Sequence, residues 1–117
     1  MLEYPDILSN EFLVAVAEEF GTPVYVYHAE KIRRQYEKLQ SAFSKTNTRF
    51  FYACKALTNI NILRYVHSLG ANVDCSSINE VKLALHAGFA AEEILYTSNG
   101  IAFSEIEEAK NLGVIIN

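Results

Sequence analysis

Arg49-Phe50-Phe51-Tyr52-Ala53-Cys54-Lys55-Ala56-Leu57 decides how this chain is read. Phe50 to Cys54 is an apolar run without alternation, the pattern of a strand buried on both faces. Lys55 follows it directly, and Thr58-Asn59 then opens a helical pattern. In a strand-then-helix unit of a parallel sheet, ligands gather at the carboxyl end of the strand. Lys55 therefore stands at the mouth of a candidate site with its stem anchored toward the core. Partial desolvation of an ammonium there lowers its pKa and frees the neutral amine as a nucleophile for an aldehyde. Set against this is the ordinary state of a lysine at a strand end, which is a solvated surface residue.

Beyond Lys55 the chain is periodic. A helix is expected over Asn59 to Leu69, closed by Gly70; a second strand over Ala71 to Cys75; a helix ending near Ala87, closed by Gly88. A third strand follows over Ile94 to Thr97, then a helix ending at Leu112, closed by Gly113, and Val114-Ile115-Ile116-Asn117 begins a fourth strand. Glycine at these positions suits a helix C′ residue. Ser77-Ile78-Asn79-Glu80 and Ser104-Glu105-Ile106-Glu107 read as capping boxes. Strand ends recur about every twenty residues, the spacing of tandem βα units. Such a repeat builds either an open doubly wound sheet or a closed barrel, and periodicity does not choose between them.

Before Arg49 the pattern differs. Met1 to Leu8 reads as an irregular lead. Ser9 or Asn10 caps a helix whose apolar positions are Leu13, Val16, Ala17 and Phe20. Gly21 stops it, Thr22-Pro23 forces an extended backbone, and Val24-Tyr25-Val26-Tyr27 reads as a short strand. A further helix spans about Ala29 to Phe43, with Ile32, Tyr36, Leu39 and Phe43 on its apolar line. Its other face carries Lys31, Arg33 and Arg34 interleaved with Glu30 and Glu37, a solvated face with Glu30–Arg34 at favourable spacing. We divide the chain into a leading helix and strand, residues 1–27, and a βα-repeat region, residues 28–117.

Composition narrows the function classes. Of 117 residues, 50% are hydrophobic and 21% charged, which is globular and not disordered. A net charge of -4 gives no electrostatic footprint for nucleic acid or an anionic membrane. No signal-peptide pattern opens the chain and no apolar run reaches spanning length, so a cytoplasmic location is expected. Cys54 and Cys75 both fall in expected strands and read as small core residues in a reducing compartment. His28, His67 and His86 lie on separate expected helices without ligand spacing, and read as helix-surface residues; no metal set is expected.

Tyr52-Ala53-Cys54-Lys55-Ala56 resembles the Tyr-Ala-x-Lys-Ala motif of alanine-racemase-type (fold-type III) pyridoxal 5'-phosphate (PLP) enzymes. The resemblance extends over nearly the whole chain and is strongest to the diaminopimelate decarboxylase branch. Gly21-Thr22-Pro23-Val24-Tyr25-Val26-Tyr27 is similar to that branch's Gly-Thr-Pro-hydrophobic-Tyr-Val-Tyr segment. Gly70-Ala71, then Asp74, Ser77 and Glu80, resemble its Gly-Ala and Asp-x-x-Ser-x-x-Glu pattern, and Thr97-Ser98-Asn99-Gly100 resembles its Thr-Gly-Asn-Gly turn. Leu57 stands where the family commonly has Asn, and Ile78-Asn79 where it has Gly-Gly.

The resemblance implies the N-terminal part of a PLP-binding (β/α)8 TIM barrel. Such barrels run to about 250 residues, so this chain reads as a portion truncated after three to four strands and inactive by itself. It implies PLP as cofactor, held covalently by Lys55. It places Asp74 toward the cofactor pocket, where a structural hydrogen bond or a helix N-terminal charge is the competing role. Asn99 could reach the same pocket or simply serve the turn. Ser77 and Glu80 are better explained by capping than by catalysis. The implied reaction is decarboxylation of meso-diaminopimelate to L-lysine and carbon dioxide, in a homodimer when full length, with a small-molecule amino acid as substrate. The alternatives are another fold-type III decarboxylase, such as a carboxynorspermidine enzyme of the polyamine pathway, and a non-catalytic PLP-binding relative.

Overall fold

The computed structural model describes residues 8–117, so the irregular lead expected over Met1 to Leu8 lies outside the described residues except for Leu8. The chain falls into two compact units, one ending at Ala42 and the other running from Phe43 to Asn117. The first holds α1 (Asn10–Phe20) and α2 (Ala29–Ala42). Ser9 is the N-cap of α1: its Oγ accepts the Phe12 N–H at 3.2 Å, satisfying a donor that has no partner within the helix. On α2, Glu30 accepts from both Arg33 and Arg34, the latter at 2.9 Å, and Arg33 also reaches Glu37. These bonds hold the Glu30 carboxyl down to about 2.

The expected strand over Val24 to Tyr27 is not formed. Among the described residues that segment pairs with no neighbour, and Tyr25 is 87% exposed. β-branched and aromatic residues favour a strand because they fit a pleated, half-buried surface, and no such surface is built around this segment.

The second unit is the βα repeat. Its order is β1 (Phe51–Ala53), a single 3-10 turn (Cys54–Ala56), α3 (Ile60–Ser68), β2 (Asn72–Cys75) and α4 (Ile78–Ala87). A second 3-10 turn (Ala91–Glu93), β3 (Ile94–Tyr96), α5 (Phe103–Leu112) and β4 (Ile115–Ile116) complete it. The sheet order is β1-β2-β3-β4 and every pair is parallel, as consecutive βα units require. The register runs Ala53–Asp74–Leu95–Ile115 across the four strands.

Burial alternates along the inner strands. Val73, Cys75, Ile94 and Tyr96 are buried, while Asn72, Asp74 and Leu95 between them are half-buried. The buried set joins Leu63 of α3, Val81 and Ala84 of α4 and Ala109 of α5 in one core. This is the helix-covered face of the sheet, and Asp74 and Leu95 lie on the other. Leu63, Val73, Val81 and Ile94 are 0% exposed, and burial of each such side chain contributes roughly 1.5–3 kcal/mol.

Helix ends follow the expected chemistry with two shifts. Gly88 closes α4 at φ +110 and Gly113 closes α5 at φ +75, conformations that a side chain would strain. Ser77 Oγ accepts the Glu80 N–H at 3.2 Å, while the Glu80 carboxylate reaches one residue further back, to Ser76. The box expected at Ser104 does not form: α5 starts at Phe103 with Ala102 as its N-cap, which has no side-chain acceptor, and Glu105 alone caps by accepting the Ala102 N–H at 3.2 Å. His67 is not a free surface residue. Its ring lies 4.4 Å from that of Phe89 and its Nε2 is 3.1 Å from Glu93, groups that the sheet brings to it from over twenty positions away.

Candidate functional site

The strand expected to end at Lys55 stops two residues sooner. β1 is three residues long, and Cys54-Lys55-Ala56 winds into a single 3-10 turn closed by the Leu57 N–H on the Cys54 carbonyl at 3.1 Å. The turn is anchored on both sides. Cys54 is fully buried, and the Tyr52 hydroxyl donates to the Leu57 carbonyl at 3.2 Å, the partner that a half-buried phenol needs. Lys55 is thus the middle residue of a short, braced turn just past the carboxyl end of β1.

The side chain of Lys55 is exposed, not desolvated as the sequence suggests. Among the described residues β1 pairs with β2 alone. The apolar run before Lys55 is half-buried at Phe51, Tyr52 and Ala53 and becomes fully buried only at Cys54.

Asp74 is the residue that the structure makes conspicuous. Register pairs it with Ala53, two positions before Lys55, on the sheet face that the helices leave open. Its Oδ1 is buried and has no hydrogen-bond partner among the described residues. An acceptor in that state costs about 1–3 kcal/mol, more when charged, unless a donor meets it. A cation or N–H group entering over the open face would satisfy it.

Asn99 lies in the exposed bend after β3, next to Gly100 at φ +67. The carboxyl ends of β1, β2 and β3 share one edge of the parallel sheet, so Lys55, Ser76 and Asn99 stand on the same rim. Ser77 and Glu80 serve the start of α4 as a cap, as described above. The residues fit a small ligand carrying an aldehyde and a protonated ring: an amine on the rim, and an unsatisfied carboxylate oxygen below it.

Residues 29–117 match the family described as pyridoxal-dependent decarboxylase, pyridoxal binding domain. The chain belongs to the PLP-dependent decarboxylases, as part of their cofactor-binding barrel. Within that family it is 43% identical over 106 residues to the diaminopimelate decarboxylase of Methanothermobacter thermautotrophicus, covering 89% of this chain and 25% of that one. It superposes on the crystal structure of diaminopimelate decarboxylase from Helicobacter pylori complexed with L-lysine with a TM-score of 0.77 and 32% identity, covering 86% of this chain and 26% of that one. The lysine/ornithine decarboxylase of Vibrio vulnificus complexed with putrescine gives a TM-score of 0.82 at 29% identity, over 92% of this chain and 30% of that one. The chain spans about a quarter of the length of these relatives. Its four parallel strands are thus the N-terminal portion of a (β/α)8 barrel and not of an open doubly wound sheet.

Proposed function

We propose that the protein to which this chain belongs decarboxylates meso-diaminopimelate to L-lysine and carbon dioxide with PLP, and that Lys55 is the residue that holds the cofactor. The carrying observation is that Lys55, on its braced turn, follows two positions after Ala53, the register partner of Asp74, whose Oδ1 has no partner among the described residues. When bound, PLP supplies an electron sink for the pair of electrons left behind as the α-carboxylate departs. Lys55 would hold the cofactor covalently through its Nζ, at the rim where β1 ends. The Asp74 carboxylate favours the protonated state of a nitrogen brought near it. The Asn99 amide offers two donors and an acceptor on the same rim.

The choice of diaminopimelate is supported by the relatives' names and by the sequence segments that resemble that branch. The lysine/ornithine decarboxylase at similar structural likeness favours a second reading, decarboxylation of a diamine precursor. A homodimer in the cytoplasm is part of the same proposal. Among the described residues no helix is long and apolar enough to cross a membrane.

The test uses the full-length protein. Carbon dioxide release is measured with meso-diaminopimelate, lysine, ornithine and carboxynorspermidine, and the first is expected to be preferred. Lys55→Ala is expected to abolish release and the borohydride-stable attachment of PLP while circular dichroism stays unchanged. Retention of that attachment in Lys55→Ala would move the cofactor-bearing residue elsewhere. A preference for ornithine or lysine would replace the substrate.

A further inference from the structure

On the opposite face of the sheet from Asp74, beneath the turn that carries Lys55, three donor groups meet. The Sγ atoms of Cys54 and Cys75 and a carboxylate oxygen of Glu80 all lie within 4.8 Å of one another. We propose that Cys54, Cys75 and Glu80 form a binding site for a thiolate-preferring divalent cation of the zinc class. The site requires nothing of the cofactor chemistry above.

The donors come from three different elements. Cys54 opens the 3-10 turn after β1, Cys75 ends β2, and Glu80 lies in the first turn of α4. Parallel register puts the two cysteines side by side, one step beyond the Ala53–Asp74 pair. Both are free thiols with 0% exposure, so neither is lost to solvent or to a disulfide. Two thiolates and a carboxylate are a donor set that zinc accepts, with bonds of about 2.3 Å to sulfur and 2.0–2.2 Å to oxygen. Tetrahedral geometry at those lengths sets neighbouring donors roughly 3.5–3.8 Å apart. Side-chain rotation of under about an ångström per donor closes the cluster to that size.

Glu80 is already aimed. Its Oε2 accepts from the Ser76 N–H at 2.7 Å and from the Ser76 hydroxyl at 3.0 Å. Those bonds fix the carboxylate beside the thiols, as outer partners orient metal ligands, and leave the lone pairs of Oε1 for an ion. The cluster of two thiolates, one carboxylate and a divalent ion carries one net negative charge. It sits at the N-terminus of α4, where the helix dipole favours that sign. Ser76 is exposed and Glu80 half-buried, so the carboxylate side gives an ion its way in. A bound ion would tie the turn bearing Lys55 to β2 and α4.

Burial holds the Cys54 thiol up at about 11 and raises Cys75 further. Both are therefore protonated near neutrality, and binding must expel both protons.

Cadmium ion is the probe, added to metal-stripped full-length protein. Expected are a saturable sulfur-to-metal charge-transfer band in the ultraviolet, about two protons released per ion, and a raised melting temperature. Cys54→Ser with Cys75→Ser is expected to lose that band, and Glu80→Gln to keep it with binding weakened tenfold or more. In the unmutated folded protein, X-ray absorption at the cadmium edge should show two sulfur neighbours per bound ion, an arm that needs no variant to fold. Absence of those neighbours, or a band of undiminished strength in the folded double variant, would overturn the site.

Discussion

Tyr96→Phe should stabilise this protein, against the usual direction of a core substitution. The Tyr96 side chain is 1% exposed, on the helix-covered face of β3, and its hydroxyl has no hydrogen-bond partner among the described residues. A buried hydroxyl without a partner costs about 1–3 kcal/mol, because water's hydrogen bonds are given up and nothing replaces them. Phenylalanine keeps the ring, and with it nearly all of the dispersion and apolar burial, and removes that cost. Allowing for a small void where the oxygen stood, the net gain is about 1 kcal/mol. With a urea dependence of roughly 1–3 kcal/mol per molar, the unfolding midpoint moves up by about 0.3–1 M. The assay is equilibrium urea unfolding of the full-length protein followed by circular dichroism. Tyr52→Phe is the control: that hydroxyl donates to Leu57 at 3.2 Å, so its removal should destabilise by about 0.5–1.5 kcal/mol. A Tyr96→Phe variant that loses as much stability as Tyr52→Phe would show that the Tyr96 hydroxyl is satisfied, and the reasoning would fail.

Two further outcomes are expected. Ser77→Ala removes the acceptor of the Glu80 N–H and should lower stability by about 1 kcal/mol while leaving kcat unchanged; a fall in kcat at unchanged stability would assign Ser77 to the chemistry instead of the cap. The Glu30 carboxyl, lowered by Arg33 and Arg34, contributes to α2 only while ionised, so its contribution is complete above the ordinary carboxylate value and lost as pH falls toward about 2. Carbon-detected NMR titration of Glu30 should show that low midpoint, rising toward normal in high salt because the network is exposed; a midpoint at the ordinary glutamate value would remove it.

The helices of this protein were legible because their information is local. Apolar spacing, Ser9 and Ser77 as caps, and Gly88 and Gly113 as stops all act within a few residues, and each performs that role in the structure. The βα repeat was legible for the same reason, and with it the parallel order of the four strands. The pattern around Lys55 placed that residue just past the carboxyl end of a strand, and the fold has it there. The departures from expectation lie where a segment's state depends on what stands next to it. Val24 to Tyr27 has strand composition but no strand beside it, and His67 has the spacing of a surface residue but meets Phe89 and Glu93. Lys55 is exposed where β1, among the described residues, pairs with β2 alone. Long-range register decided the rest. It set Asp74 beside Ala53 with an oxygen unmet, and it brought Cys54 against Cys75 and Glu80. Sequence determines which residues a strand or helix can hold. Which of them face one another across twenty positions depends on the register of the folded sheet, because that contact exists only once the intervening chain has been wound into place.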